Sequence, residues 1–162
     1  LVTASVEHFP IIQDLAHKIW PSAFEGILTD EQRLYMLDWM YSIPLLTKQL
    51  ESGCQFLLAV IDETYVGYAS FETNFDDPRT SKLHKIYVLP SEQKKGVGRL
   101  LLNEVIRRTK KEEQNSLILN VNRFNKSVKF YEHVGFRVIR EEDNDIGGGF
   151  FMNDFVMELP LV

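Results

Sequence analysis

The sequence has few of the features that mark disulfide-rich, metal-binding or membrane proteins. It contains one cysteine, Cys54, in 162 residues, which excludes an internal disulfide and a site built from several cysteines. No apolar run approaches the ~20 residues of a membrane-spanning helix. Acidic residues outnumber basic ones, 23 to 18, whereas a general electrostatic grip on nucleic acid needs the opposite balance. We therefore expect neither membrane nor nucleic-acid partners, and no metal.

What is present is typical of a soluble enzyme-sized domain. The composition, 44% hydrophobic and 25% charged, is close to the globular average, and we expect residues 1–162 to form a single domain. A single cysteine indicates a reducing compartment, and residues 1–7 lack the basic start and apolar stretch of a secretory signal. We predict a cytoplasmic protein that is a monomer or a homodimer.

The first third of the chain is predicted to be helical after a short edge strand at residues 1–6. Apolar spacing predicts a helix over residues 8–20 that ends before Pro21. A second helix is predicted to begin after Thr29, and Pro44 should break or bend it.

From Gln55 the apolar period changes from that of helices to that of strands. A strand–helix–strand order implies a parallel, right-handed crossover, while hairpins imply antiparallel pairing. We predict an α/β fold with a mixed central sheet of about six to seven strands and helices on both faces. The predicted elements are strands over residues 55–61, 65–75 and 82–89, a helix over 97–113, a strand over 116–122, a helix over 125–134, and strands over 136–141 and 150–159.

The segment from Gln93 to Leu100 carries the strongest chemical signal. It lies between a predicted strand and a predicted helix, and Gly96 and Gly98 allow a tight turn with uncovered amides. Those amides and the helix dipole favour an anion. Further positive charge comes from Lys94, Lys95 and Arg99. The pattern is typical of a pyrophosphate-binding loop, and a plain strand-to-helix turn with a solvated basic edge is the alternative.

Two better-known phosphate motifs do not match this segment. A Walker loop needs Gly-Lys-Ser/Thr, which is missing here. The third glycine of the dinucleotide fingerprint would fall at Leu101.

Together with a second segment, this loop resembles the GNAT superfamily, the Gcn5-related N-acetyltransferases. The family signature Gln/Arg-x-x-Gly-x-Gly/Ala is matched by Gln93, Gly96 and Gly98. The resemblance covers about residues 55–158, with a fainter likeness to bacterial spermidine/spermine acetyltransferases around Lys85-Ile86-Tyr87. The later signature Asn-x-x-Ala-x-x-Phe-Tyr-x-x-x-Gly-Phe is matched by Asn125, Phe130, Tyr131, Gly135 and Phe136, with Ser127 or Val128 in place of the usual Ala.

The resemblance implies acetyl-CoA as cofactor. Loop amides from Lys94 to Leu100 would hold the pyrophosphate, and the strand containing Ile86 and Val88 would offer backbone groups to pantetheine, as in strand addition. For that edge to exist, the two central parallel strands must splay apart. The implied cofactor-binding residues are Ile86, Tyr87, Val88, Gln93, Lys94, Lys95, Gly96, Val97, Gly98, Arg99, Leu100, Asn120, Asn125 and Tyr131.

The family reaction, direct acetyl transfer to an amine, needs an acid and a base. Tyr131, which the resemblance places near the sulfur, is the predicted acid for the departing thiolate. His84 is the predicted base because it titrates in the useful range, and strand alternation puts it on one face with Ile86. An ordinary surface or core histidine is the alternative. A bulge near residues 86–88 would supply a backbone donor to the oxyanion.

The acceptor is predicted from segments that vary within the family, here residues 24–41 and 143–154. Aromatic and acidic side chains suit a cation, so we predict a small amine of polyamine type. The alternatives are a protein or peptide acetyltransferase and a CoA-binding module without catalysis. The side chains in and beside these segments are Phe24, Tyr35, Trp39, Glu141, Glu142, Asp143, Asp145 and Asp154.

Overall fold

A seven-stranded mixed sheet forms the centre of the protein. The computed structural model describes residues 1–162, and the strand order is β1-β2-β3-β4-β5-β7-β6. Neighbouring strands are antiparallel except β4 and β5, which are parallel. The strands are β1 (Val2–Thr3), β2 (Gln55–Ile61), β3 (Thr64–Glu72), β4 (Thr80–Val88), β5 (Ser116–Asn122), β6 (Arg137–Gly147) and β7 (Phe150–Pro160).

Five α-helices cover both faces of this sheet. Helices α4 and α5 share one hydrophobic core with it, and α1, α2 and α3 share a second core on the opposite face. The predicted mixed sheet with helices on both faces is confirmed. The helices are α1 (Phe9–Ala23), α2 (Asp30–Met40), α3 (Ile43–Glu51), α4 (Val97–Lys111) and α5 (Ser127–Val134).

The two helix prolines behave differently. Pro44 lies in the first turn of α3, where its missing N–H costs nothing, and the Ser42 hydroxyl caps that helix by accepting from Leu45 N at 3.3 Å. The predicted break is confirmed. The predicted end before Pro21 is wrong, because α1 continues through it. Trp20 packs against the buried Phe24 with ring centroids 4.7 Å apart, which stabilises the last turn beyond the proline.

Strand β6 is longer than predicted. The predicted strand ends at residue 141, yet β6 pairs with β7 as far as Gly147. Strand β6 is at the edge of the sheet and is largely exposed, and charged side chains are common on such edges because they oppose pairing with other chains.

The central parallel strands β4 and β5 part midway. Their pairing runs only from Thr80 with Ser116 to Leu83 with Leu119. Beyond these residues β3 still holds the outer edge of β4, and β7 still holds the outer edge of β5. The two inner edges therefore face each other without a ladder, which confirms the predicted splay and opens the sheet.

Candidate active site

A loop with unpaired backbone amides joins the end of β4 to α4. Lys94 and Gly96 both adopt left-handed conformations, with φ of 65° and 85°. The N–H groups from Lys94 to Arg99 have no acceptor in the protein, and Leu100 N is the first to find one, Gly96 O at 2.9 Å. Amides exposed in this way at a helix N-terminus form an anion site. The predicted contribution of the Leu100 amide is wrong, because its hydrogen is committed to the helix.

Side chains hold this loop in place. The Gln93 side-chain amide donates to Val88 O at 3.1 Å and ties the loop to β4, while Val97 is buried in the core. Lys95 pairs with Glu92 at 3.1 Å. Lys94 and Arg99 are exposed and outside any ion pair, so they supply most of the predicted basic edge.

The splay between β4 and β5 opens into a cavity of about 280 Å³. Most predicted residues of the second segment and of β4 meet here, far apart in sequence but close in space. The predicted residues on its walls are His84, Ile86, Tyr87, Asn120, Asn125 and Tyr131.

The side chains of β4 do not alternate regularly where the strand lines this cavity. Its register against β3 shifts so that Ser70 pairs with Lys85 and Phe71 with Leu83, which leaves His84 in a bulge. His84 and Lys85 therefore both face α1–α3, whereas Ile86 packs on the opposite core. The predicted shared face of His84 and Ile86 is wrong, because a bulge breaks strand alternation. The bulge also lies before residues 86–88 and not within them.

Tyr87 contributes to the opposite wall from Ile86. Its ring belongs to an aromatic cluster and lies 5.8 Å from the Trp20 ring and 5.6 Å from the Tyr68 ring. Any contact that Tyr87 makes on the open edge of β4 is therefore a backbone contact.

Asn125 and Tyr131 are positioned by α5. The Asn125 Oδ1 atom accepts from Ser127 N at 2.8 Å, so its side-chain NH₂ group is free for the cavity. Tyr131 is packed between Phe130 and Phe136, with ring centroids 5.4 and 5.6 Å away. Burial, followed by the nearby Tyr87, raises the pKa of the Tyr131 hydroxyl. It is therefore protonated at neutral pH and able to donate.

His84 is held by a carboxylate. Its Nε2 atom lies 2.7 Å from Glu72 Oε1, and the Cys54 thiol completes a cluster whose donor atoms lie within 4.8 Å of one another. Burial lowers the pKa of His84 despite the Glu72 contact, and Lys85 and Lys82 lower it further. Burial raises the pKa of Cys54 to about 11. The histidine is neutral at pH 7 and the cysteine is a thiol.

One acidic residue, Asp154, faces the cavity from β7. Asp154 is 6% exposed, and its Oδ2 accepts from Asn120 Nδ2 at 3.3 Å. The same Asn120 group donates to Glu142 at 3.2 Å. The side-chain NH₂ group of Asn120 therefore bonds two carboxylates. Its predicted contact with the cofactor stays a prediction for the side-chain oxygen and the backbone groups.

Helix α2 and the β6–β7 hairpin both contribute to the wall of the cavity and are joined to each other beside it. Gln32 Nε2 donates to Phe151 O at 3.1 Å, and Tyr35 Oη donates to Ile146 O at 3.2 Å. The Tyr35 ring also lies 5.3 Å from that of Phe150. We call these contacts the roof.

Known proteins share both the sequence pattern and this architecture. The sequence profile of the acetyltransferase (GNAT) domain matches residues 30–158. The chain belongs to the GNAT acetyltransferase family. It is 29% identical over 118 residues to the [ribosomal protein bS18]-alanine N-acetyltransferase of Haemophilus influenzae, covering 72% of this chain and 76% of the relative.

GNAT structures determined with coenzyme A or acetyl-CoA share the fold. The PaiA N-acetyltransferase of Thermoplasma acidophilum, in complex with coenzyme A, superposes with a TM-score of 0.81 at 26% identity, covering 97% of this chain and 95% of that one. The yncA structure of Salmonella typhimurium with acetyl-CoA gives 0.69 at 21% identity, covering 99% and 92%. This GNAT protein is an acetyl-CoA-dependent N-acetyltransferase, and none of its helices is long and apolar enough to cross a membrane.

Two features of this GNAT site escaped the sequence analysis. Asp154 was counted only among the acids around the acceptor, although it occupies an inward position of β7 between Met152 and Val156. The sequence could have singled out Asp154, because a carboxylate at an inward position of a strand is rarely buried without a reason. The grouping of Cys54, Glu72 and His84 had no sequence signal, because three different segments contribute to it.

Lys85 is a buried cation without a carboxylate partner. It is 5% exposed, and its Nζ lies 3.4 Å from Gln49 Oε1 and 5.5 Å from the centre of the Tyr41 ring. Burial lowers its pKa from 10.5 to about 8. The folded state therefore disfavours the charged form.

Replacing Lys85 by methionine should stabilise the protein at pH 7. At about 1.4 kcal/mol per pKa unit, the shift corresponds to a charge penalty of roughly 3 kcal/mol. The penalty is present below the folded pKa of about 8 and fades as pH rises towards 10.5. Urea unfolding should show a gain for Lys85→Met at pH 7 that shrinks at pH 10, and no comparable gain for the exposed Lys110→Met. A loss of stability at pH 7 would contradict this account.

Proposed function

We propose that the acceptor is a primary amine carried by a small molecule. The observation that carries this proposal is the roof, where Gln32 and Tyr35 of α2 bond to the β6–β7 hairpin. An extended peptide needs an open groove across this face, whereas the roof leaves a cavity of about 280 Å³. That volume suits the reacting end of the cofactor and a compact amine.

A protein N-terminus is the second candidate acceptor. The Haemophilus influenzae relative is named for acetylating an alanine of ribosomal protein bS18. An N-terminal residue could enter the cavity beside Trp39, which is 50% exposed at its wall.

The polyamine acceptor, the cytoplasmic location and the oligomeric state all stay predictions.

The residues present fit acetyl-CoA. The free amides from Lys94 to Arg99 suit a diphosphate, and Lys94 and Arg99 add charge. An ideal Cβ on Gly96 would meet nothing within 4 Å, so the space above the loop is open. The unpaired edge of β4 from Ile86 to Val88 can bond the amides of a pantetheine arm, and the free NH₂ of Asn125 faces the same cavity.

Residues of the chain supply the proton transfers. Acetyl-CoA supplies the acyl thioester, which is the electrophile. Tyr131 donates a proton towards the departing sulfur, and the edge of β4 beyond Leu83, which has no ladder to β5, provides backbone N–H groups for the developing oxyanion. The reacting amine is charged at pH 7, so a base must take its proton. The cavity presents two proton acceptors, His84 and Asp154.

An acceptor panel tests the small-molecule proposal. Release of free thiol from acetyl-CoA should be measured with 2-phenylethylamine, spermidine and a peptide that begins with alanine. We expect kcat/KM for the best small amine to exceed that for the peptide at least about 10-fold, because the roof excludes a chain. Faster turnover of the peptide would favour the second candidate.

A further inference from the structure

One carboxylate oxygen of Asp154, on the wall of the cavity, has no hydrogen-bond partner. Oδ2 accepts from Asn120, but Oδ1 is buried and has no hydrogen-bond partner. No cation lies within ion-pair distance, although Lys82 on β4 and Glu142 on β6 are close enough to influence it. A buried carboxylate with an empty acceptor position is costly, and a cationic ligand would relieve that cost.

Asp154 is the only acidic residue on the wall of the cavity. The acids of β6 that lie nearest to it are already engaged. Glu141 and Asp143 pair with Arg123, and Glu142 pairs with Arg140. Asp145 accepts from Gly147 N within the hairpin turn. One carboxylate is therefore left for a ligand, and a polyamine would bury further charges without partners.

Apart from Asn120 and Asn144 beside Asp154, the cavity wall formed by α1, α2 and the β6–β7 hairpin is mostly apolar. This wall favours an amine whose body is hydrocarbon or aromatic, since methionine and aromatic side chains adapt to such groups. The apolar wall residues on this side are Phe24, Met36, Trp39, Met40, Ile146 and Met152.

His84 is less suited to receive a cation. Its Nε2 is bonded to Glu72, and Lys82 and Lys85 both act on it as positive neighbours. An approaching ammonium would be repelled there and attracted at Asp154.

We infer that Asp154 binds the ammonium group of the acceptor and takes its proton, and that the acceptor is a compact primary amine with one cationic centre and an apolar body. This inference rests on the proposed function. In a cavity shielded from water, a neutral acid and a neutral amine are favoured over the ion pair, because burial disfavours both charged forms. The same burial raises the pKa of Asp154, which makes it a better proton acceptor.

The acetyl transfer from thioester to ammonium releases one proton overall. Asp154 takes one proton from the ammonium and releases it to water after turnover. The amine nitrogen bonds to the acetyl carbon as the C–S bond breaks. Tyr131 gives its proton to the sulfur and regains the second proton that nitrogen loses, so the products are an N-acetylamine, a thiol and one released proton.

Asp154→Asn tests the inference, with Glu158→Gln on the same strand as the matched control. Binding of 2-phenylethylamine and of spermidine to the protein without cofactor should be followed by tryptophan fluorescence and calorimetry at pH 7.5. We expect Asp154→Asn to weaken 2-phenylethylamine binding at least about 10-fold, as loss of a charged hydrogen bond does. Turnover should fall about 100-fold or more. Coenzyme A affinity should not change, and Glu158→Gln should match the wild type in every measurement.

Thermal stability separates a ligand-binding role from a structural one. Because the folded pKa of Asp154 is raised, its charge destabilises the fold at neutral pH and this penalty is lost as pH falls. Asp154→Asn should therefore melt above the wild type at pH 7, by a margin that narrows in acid. A structural carboxylate would give the opposite sign.

Each failure has its own signature. Unchanged amine binding or turnover in Asp154→Asn would overturn the inference and leave the proposed function standing. Tighter binding of spermidine than of 2-phenylethylamine would overturn the single-charge acceptor. Transfer to the alanine peptide alone would overturn the proposed function itself. A large loss in His84→Gln with none in Asp154→Asn would assign the base to His84.

Discussion

The Gly96→Val variant should bind coenzyme A at least about 100-fold more weakly than the wild type, since each phosphate-bound amide is a charge-assisted hydrogen bond. Gly96 holds a φ of 85° in the middle of the unpaired amides. A β-branched residue strongly disfavours this conformation, so the loop should change shape. Its side chain would also enter the open space where a phosphate must approach the backbone. Calorimetric titration with coenzyme A measures the loss.

Gly53→Val provides the matched control for this substitution. Gly53 also has a positive φ, 110°, and an added Cβ there would meet nothing within 4 Å. It lies in the turn before β2, outside the loop of free amides. Both variants should lose some stability from backbone strain, and only Gly96→Val should lose cofactor affinity. Equal affinity for the two variants would show that the amides are not the phosphate site.

Features set by neighbouring residues were predictable from the sequence. The amide loop depends on two glycines within a strand–loop–helix segment, and the structure has that segment from the end of β4 to α4. The splay between β4 and β5 also followed, through the family resemblance of Gln93-x-x-Gly96-x-Gly98 and Asn125 to Phe136. Each of these signals lies within a short window of the chain.

Features set by contacts between distant residues were not predictable. The bulge at His84 arises from a register shift against β3, and alternation along β4 alone cannot show it. The roof joins Tyr35 to Ile146, and the state of Asp154 depends on which acids are neutralised by Arg123 and Arg140. The acidic composition was therefore enough to predict a cationic acceptor. How many carboxylates in the cavity are free to bind it could be seen only in the structure.

The Tyr131→Phe variant should lose about 100-fold or more in kcat, the usual contribution of a general acid. The hydroxyl donates no hydrogen bond within the chain, so its removal leaves no buried partner unsatisfied. The phenylalanine ring would keep the contacts with Phe130 and Phe136. Stability, coenzyme A affinity and amine binding should therefore stay close to those of the wild type, and the loss should appear in the chemical step.

The loss of turnover in Tyr131→Phe should not depend on pH near neutrality. Burial raises the pKa of Tyr131 above its usual value of 10, so the hydroxyl is protonated throughout pH 6–9. The ratio of wild-type to Tyr131→Phe turnover should be constant over that range, because neither enzyme titrates at this position. Tyr65→Phe, a half-buried tyrosine outside the cavity, should keep wild-type turnover. A Tyr131→Phe enzyme with full kcat would remove the hydroxyl from the reaction, and a loss confined to cofactor affinity would make Tyr131 a binding residue.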